Sequence, residues 1–459
     1  FMLDASAGCM KDGPKNRLRE RDIHRIVDSF GHLHEVPKYA RMVPFAEIEK
    51  NDFNLNLPRY IDSREPEDRQ DIEAHLKGGM PQSDVDALGE YWQICPQLRS
   101  ALFRPARTGY SELAVTPSAI KSTIEADPQF CAFVEHMRAH FEAWRKDAAR
   151  QLKALGAGCH PKDVIEKLST HLLTHYRGQP LLDPYAIYQH LMDYWLTTMQ
   201  DDLYLVADDG WKAQTYRVIE QDKQGRERDK GWTCDLVPKP LIVARYFAKE
   251  QAALDALNAE LETVESQLAE LAEEQGSEDG AFTGFDKINA KAIKERLDEL
   301  GISAPRASSS SFPRKRESSS KSSFRAPRSG DPESSASLSD DENTKEAAIL
   351  QIWLRLDAQR ATLKKRIKEA DFALDAAALA KYPDLTEADV KALAVDDKWL
   401  AALANAIGGE TERAGQALTR RVKELAERYA APLPQIETRV AELQAKVDVH
   451  LKKMGFAWT

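Results

Sequence analysis

Histidines, amides and glycines at defined spacings are the residues of this chain with the means to do chemistry. His136 and His140, and again His171 and His175, stand four apart, the spacing that sets two imidazoles on one helix face as in a metal site. Neither pair has the glutamate after its first histidine that a zinc hydrolase uses as general base, and no third ligand accompanies them, so polar-face histidines without a metal are expected. The stretch NDFNLNLPRYID interleaves Asn51, Asn54 and Asn56 with Phe53, Leu55 and Leu57 before Pro58, Arg59 and Tyr60. Alternation that stops at proline reads as a short edge strand or extended loop, apolar residues inward, amides toward a cleft. An ordinary edge strand with a polar outer face has the same pattern. The basic clusters Lys364-Lys365-Arg366-Lys368 and Arg420-Arg421-Lys423 carry charge that suits phosphate. Their interspersed acids and apolar neighbours read as solvated helix faces.

The elements that would position these residues follow from composition and pattern. With 459 residues, 42% apolar and 30% charged, the chain has room for two or three domains and a large core. A formal net charge of -10 rules out a global basic field, so any contact with DNA must come from local patches. Cys9, Cys95, Cys131, Cys159 and Cys234 are scattered without a CxxC pair, which points to a reducing cytoplasm rather than a disulfide framework. No apolar run is long enough for a membrane span, and the start lacks the pattern of an export signal. The chain opens without methionine on the apolar run Phe1-Met2-Leu3, which predicts a fragment whose sheet continues upstream.

Residues 1–62 read as a strand over Phe1–Asp4, a polar loop at Gly13-Pro14, and a helix with Asp22 as N-cap and Ile23, Ile26, Val27 and Phe30 as its buried stripe. Residues 63–83 are polar and glycine-rich, a linker. A helical domain is expected over 84–240. Its aromatic residues Tyr91, Trp92, Phe103, Tyr110, Phe130, Phe133, Phe141 and Trp144 fall on helix-like segments, and a small hairpin joins LYLV to TYRVIE through Asp208-Asp209-Gly210. Over 241–301, Leu254, Leu257, Leu261, Val264, Leu268 and Leu271 form a heptad seam bounded by Gly276, which must pair with another helix. Residues 302–343, with serine runs and FPRKRES, read as a disordered Ser/Arg-rich insertion. Residues 344–459 hold further apolar stripes, among them Ile436, Val440, Leu443, Val447, Leu451 and Met454 beyond a turn at Pro432 and Pro434. The fold class is mainly α: a helical bundle with long coiled-coil-like helices and a small β-hairpin.

FMLDAS, LRERDIHRIVDSF and KYARMVPFAEIEKNDFNLNLPRYID together resemble the end of the catalytic domain in the modification (methylase) subunit of type I restriction-modification enzymes. DLVPKPLIVARYFAKEQ, KYPDLTEADVKALAVDDKWL, LTRRVKELAERYAAPLP and HLKKMGF are similar to later blocks of the long form of that subunit. The resemblance implies that residues 1–62 are the C-terminal edge of an α/β Rossmann-like domain. Such a domain transfers methyl from S-adenosylmethionine to adenine N6. It also implies assembly with a specificity subunit and with a motor and nuclease subunit, and contact with DNA through the complex. The heptad seam together with Val440, Leu443 and Val447 would dock the specificity subunit, and Asn51, Asn54, Asn56 and Arg59 are candidates for lining the cleft.

No catalytic residue carries over. Methyltransferases of this class need a glycine-rich turn for the cofactor and a D/N/S-P-P-Y/F loop that grips a flipped base, and the sequence contains no Pro-Pro pair. Asp4-Ala5-Ser6-Ala7-Gly8 has Met10 where a second glycine would stand. Gly156-Ala157-Gly158 follows the helical run ARQLKAL and reads as a helix C-cap. S-adenosylmethionine therefore belongs to the whole subunit rather than to this chain alone. The other reading is a stand-alone helical coiled-coil scaffold without enzymatic activity.

Overall fold

The computed structural model describes residues 1–63, 70–221, 225, 227–276, 280–285, 287–301 and 336–455, with backbone alone at residues 7 and 336–342. The protein is mainly helical with small sheets. It divides into two units, Phe1–Val237 with Leu385–Thr459, and Pro238–Asp384.

The first unit begins with β1 (Met2–Leu3), a hairpin of β2 (Cys9–Asp12) and β3 (Lys15–Leu18), helix α1 (Glu20–Gly31) and β4 (Ala40–Arg41). β1 pairs antiparallel with β4, and β2 with β3, the hairpin turning at Gly13 with φ +60°. Asp22 is not the N-cap of α1. Arg19 holds that position, and Asp22 reaches back from the third helical position to accept the Arg19 backbone N–H at 3.0 Å. The expected buried stripe is also reversed: Ile23, Val27 and Phe30 are 43%, 62% and 60% exposed, whereas Asp22 and Ser29 are buried. The polar side of α1 turns inward because an aromatic helix downstream receives it.

NDFNLNLPRYID forms no strand. Asp52 and Phe53 both take left-handed backbone angles, φ +54° and +58°, and Leu57–Arg59 is a 3-10 turn. Asn and Asp favour such local turns over a ladder. Phe53 and Leu55 therefore point to solvent, while Tyr60 and Ile61 pack with Val43 in a small core.

A three-stranded sheet of β5 (Met80–Pro81), β6 (Phe103–Pro105) and β7 (Tyr110–Leu113) follows, in the order β5-β7-β6. Phe103 and Tyr110 thus lie on strands, not helices. The body of the unit is α2 (Pro128–Lys153), α3 (Pro161–Tyr176), α4 (Pro184–Tyr194) and α5 (Gln200–Asp209). Asp127 and Asp183 start α2 and α4 as Asp-Pro caps, accepting from Gln129 and Phe130 N–H and from Tyr185 N–H. Phe130, Phe133, Met137, Phe141 and Trp144 bury one face of α2.

LYLV lies inside α5, with Leu203 and Val206 buried one turn apart. Gly210, at φ +74°, ends that helix, so Asp208-Asp209-Gly210 is a helix stop and not a hairpin turn. The hairpin is instead β8 (Tyr216–Gln221) with β9 (Glu227–Thr233).

A buried ion pair ties the late part of this unit to the middle. Lys398 and Trp399 sit on a π-helix, Ala392–Leu400, and Asp202 follows a π-helical turn, Trp195–Met199. Lys398 Nζ donates to Asp202 Oδ1 (2.8 Å) and to the carbonyls of Asp235 (2.8 Å) and Leu236 (3.1 Å), and Trp399 Nε1 donates to Asp202 Oδ2 (2.7 Å). Burial pushes the Asp202 carboxyl above its usual range, against the pull of Lys398 and Trp399.

The second unit contains α6 (Lys239–Tyr246), α7 (Ala248–Glu274), α8 (Ala290–Glu299) and α9 (Ala336–Lys381). Val264 and Leu268 on α7 are buried with Leu350, Trp353 and Leu363 on α9, and Leu257, Leu261 and Leu271 pack against them. Of the expected insertion 302–343, residues 302–335 lie outside the described residues, and 336–343 are the first turns of α9. The first unit then resumes with α10 (Ala401–Arg428) and α11 (Leu433–Lys453). Among the described residues, no helix is long and apolar enough to cross a membrane.

Leu261→Asp combined with Leu268→Asp places carboxylates in the α7 seam without partners, at a cost of about 4 kcal/mol or more. Hydrogen exchange is expected to show protection lost in α7 and α9 and kept in α2–α5. Protection unchanged in α7 would contradict this packing.

Candidate functional site

The inward face of α1 meets the first half of α4. Arg21 N–H donates to Gln189 Oε1 at 3.0 Å, and the His24 ring stacks on Tyr188 with centroids 4.7 Å apart. Asp28 accepts from the Tyr185 hydroxyl and from Arg177 Nη2 at 2.9 Å. Burial opposes ionisation of Asp28, yet Tyr185 and Arg177 hold its carboxyl below the usual range, and burial together with Asp28 pushes the Tyr185 phenol up. Burial also lowers the His24 imidazole. Arg25 lies over the Tyr39 ring at 4.1 Å. Sequence reasoning missed this junction because its two sides, α1 and Tyr185 with Tyr188 on α4, lie far apart in the chain. The tyrosine hydroxyls, and the polar run His24, Arg25, Asp28 opposite the apolar stripe, were the signal.

The amides of the first candidate set serve the loop that carries them. Asn51 Nδ2 donates to the Glu47 carbonyl at 2.9 Å, Asn54 Oδ1 accepts the Asn56 N–H at 3.0 Å, and the Tyr60 hydroxyl donates to the Asn54 carbonyl at 2.6 Å. Asn54, Asn56 and Arg59 are exposed, and Asn51 is half-buried. The loop is therefore held locally, with Asn56 and Arg59 on its outer side.

The histidines pair between helices rather than along them. His140 of α2 and His175 of α3 stack with centroids 3.8 Å apart and planes 15° apart. His140 Nε2 meets the His175 carbonyl at 2.9 Å, and His175 Nε2 meets the His140 carbonyl at 2.8 Å. A carbonyl only accepts, so each Nε2 carries the hydrogen and donates it. His136 lies 6.4 Å from His140, and His171 lies 6.3 Å from His175. Among the described residues, no group of three or more His, Cys, Asp or Glu is arranged to hold a metal.

The docking candidates separate in the structure. Leu254, Val264 and Leu268 are buried within the chain itself, and Leu257, Leu261 and Leu271 are partly covered. Val440, Leu443 and Val447 on α11 are 55%, 51% and 54% exposed, in line with exposed Leu433, Ile436 and Met454. Arg439, Lys446 and Lys453 recur every seven residues beside this stripe.

Residues 1–69 match the N-6 DNA Methylase family. Over 62 residues the chain is 36% identical to the "Type I restriction enzyme MjaVII methylase subunit" of Methanocaldococcus jannaschii, an overlap of 14% of this chain and 11% of that protein. No solved structure matches the chain. The N-terminal segment, with α1 and the amide loop, is thus similar to part of an N6 DNA methyltransferase.

Burial holds the His140 imidazole below its ordinary value, against the opposing hydrogen bond to the His175 carbonyl and with the nearby His175 and His136 rings adding to the shift. A base depressed in the folded state favours folding while neutral. That stability is fully present above the unfolded value of about 6.5 and lost as pH falls through the lower folded value. As pH falls from about 6.5 to that lower value, wild type is expected to lose thermal stability more steeply than His140→Gln. Parallel melting-temperature curves for the two would contradict the role given to the stack.

Proposed function

We propose that this chain is part of the modification subunit of a type I restriction-modification system, whose whole subunit transfers methyl from S-adenosylmethionine to adenine N6 in DNA. In this reading residues 1–62 close the catalytic domain, and the helical remainder joins that domain to the specificity subunit and, through the complex, to the motor and nuclease subunit. The match of residues 1–69 to the N-6 DNA Methylase family carries the reading. The exposed stripe of Ile23, Val27 and Phe30 on α1 supports it, since an apolar helix face in a methyltransferase domain packs on a sheet. Asn51, Asn54, Asn56 and Arg59 would border the cleft from the outer side of their loop. No D/N/S-P-P-Y/F loop lies in the sequence, so the chemistry would rest on other parts of the subunit.

Docking is assigned to α11. Val440, Leu443 and Val447 form part of a stripe exposed along the helix, and an apolar stripe of this length on one face suits insertion beside another helix. The α7 residues Leu254, Leu257, Leu261, Val264, Leu268 and Leu271 would support docking indirectly, by holding α7 against α9.

The test is co-purification with a type I specificity subunit from the same source, with calorimetric titration of S-adenosylmethionine alongside. The chain is expected to co-purify and to bind no cofactor alone. Val440→Asp with Val447→Asp is expected to abolish co-purification while leaving the melting temperature within about 2 °C, because exposed substitutions cost little stability. Co-purification of that variant at wild-type yield would sink the docking assignment. Failure of the wild type to co-purify would favour the scaffold reading.

A further inference from the structure

A cavity of about 190 Å³ lies where α1 meets the turn before β4 and the start of α4, with Arg21, Arg25, Lys38, Tyr39 and Tyr185 on its walls. Its carboxylates are already engaged. Asp4 accepts the Ser6 N–H at 3.0 Å, and hydrogen bonds from Ser6 and Ser63 hold its carboxyl below the usual range. Asp22 takes Arg19 Nε at 2.8 Å, and Asp183 caps α4 through the Tyr185 N–H at 3.0 Å. Four cations, with Arg19, face these three carboxylates. No ion pair engages Arg25 or Lys38 among the described residues.

Of the two spare cations, Arg25 is held by aromatic rings and Lys38 stands exposed on a closed turn. The Arg25 guanidinium lies over Tyr39 at 4.1 Å and stands 5.8 Å from the Tyr185 ring. Stacking occupies the face of the guanidinium and leaves its N–H edge free to donate. Lys38 has φ +63°, unusual for a residue with a side chain. The turn is closed by the Tyr39 N–H on the Val36 carbonyl at 3.0 Å and the Val36 N–H on the Ala40 carbonyl at 2.8 Å. A planar donor fork beside a point charge suits a tetrahedral oxyanion. The cavity falls short of the roughly 300 Å³ at which ligand pockets begin, so it admits one charged group and not a whole nucleotide.

The geometry points to a binding site for a single phosphate of a DNA backbone, held by Arg25 and Lys38 above Tyr39. The assignment rests on the methyltransferase reading for DNA as the source of that phosphate. Such a contact positions a duplex and reads no sequence.

The test is fluorescence anisotropy of a labelled random-sequence DNA duplex with the full chain, from about 50 to about 200 mM salt. Arg25→Ala with Lys38→Ala is expected to bind at least about tenfold more weakly, with a log–log salt slope shallower by about 1, the contribution of one phosphate. Arg25→Lys is expected to keep the wild-type slope. Lys364→Ala with Lys365→Ala, which removes cations already paired to Glu265 and Glu369, is expected to change neither. If the double alanine variant melts early, Lys38→Gln alone at its exposed turn is expected to bind more weakly than wild type and to lose part of that slope. Wild-type affinity and slope in the site variants would overturn the assignment, as would no duplex binding by wild type. Calorimetric binding of inorganic phosphate lost in these variants, with duplex affinity intact, would identify a free-anion site and overturn the backbone assignment. Duplex binding retained by a chain that fails to co-purify with the specificity subunit would count against the functional reading and leave the site standing.

Discussion

The ion pair of Lys398 and Asp202 is the constraint on which the first unit depends. One ammonium satisfies a carboxylate and two backbone carbonyls, Asp235 and Leu236, so a π-helix near the C-terminal part, α5, and the loop after β9 are fixed at one point. Removing one partner of such a buried pair costs about 3–5 kcal/mol, mostly because the other charge is left without compensation. The π-helical geometry on both sides follows from the same demand. A wider turn is intrinsically poorer than an α-turn and persists where a tertiary contact requires it. Here the contact is completed by Trp399, whose indole N–H donates to Oδ2 of Asp202.

The mainly helical character of the chain was legible in its apolar periodicity, and the α7 seam is the plainest case. Leu254 to Leu271 has the spacing of a helix with one covered side, and α9 covers it. What the sequence did not disclose is which side of a helix a fold chooses. α1 has an apolar stripe and a polar face, and periodicity alone assigns the stripe to the interior. The polar face is inside because Tyr185 and Tyr188 offer rings and hydroxyls that His24, Arg25 and Asp28 match. Long-range partners of this kind are invisible to a local pattern.

The same limit explains the candidate residues. Asn51, Asn54 and Asn56 alternate with apolar residues as a strand would, yet two successive left-handed residues, Asp52 and Phe53, turn the chain so that the Asn51 and Asn54 side chains bond to nearby backbone. The histidine spacing within α2 and α3 was readable, and it places His136 with His140 and His171 with His175. The close contact, however, is between helices, His140 on His175, and sequence spacing does not encode it. Asp208-Asp209-Gly210 is ambiguous for a related reason, since a glycine with positive φ ends a helix as readily as it turns a hairpin.

The route of the chain has a consequence for how its length can vary. Pro238–Asp384 is an excursion that leaves the first unit at Val237 and returns at Leu385. Lys398 bonds to the Asp235 and Leu236 carbonyls just before the departure, so the first unit itself holds the outgoing stretch of chain close to the returning one. With those ends already together, each doubling of the length between them costs only about 0.6 kcal/mol in closure entropy. Lineages can therefore add or delete sequence within the excursion and leave the folding of the first unit nearly untouched.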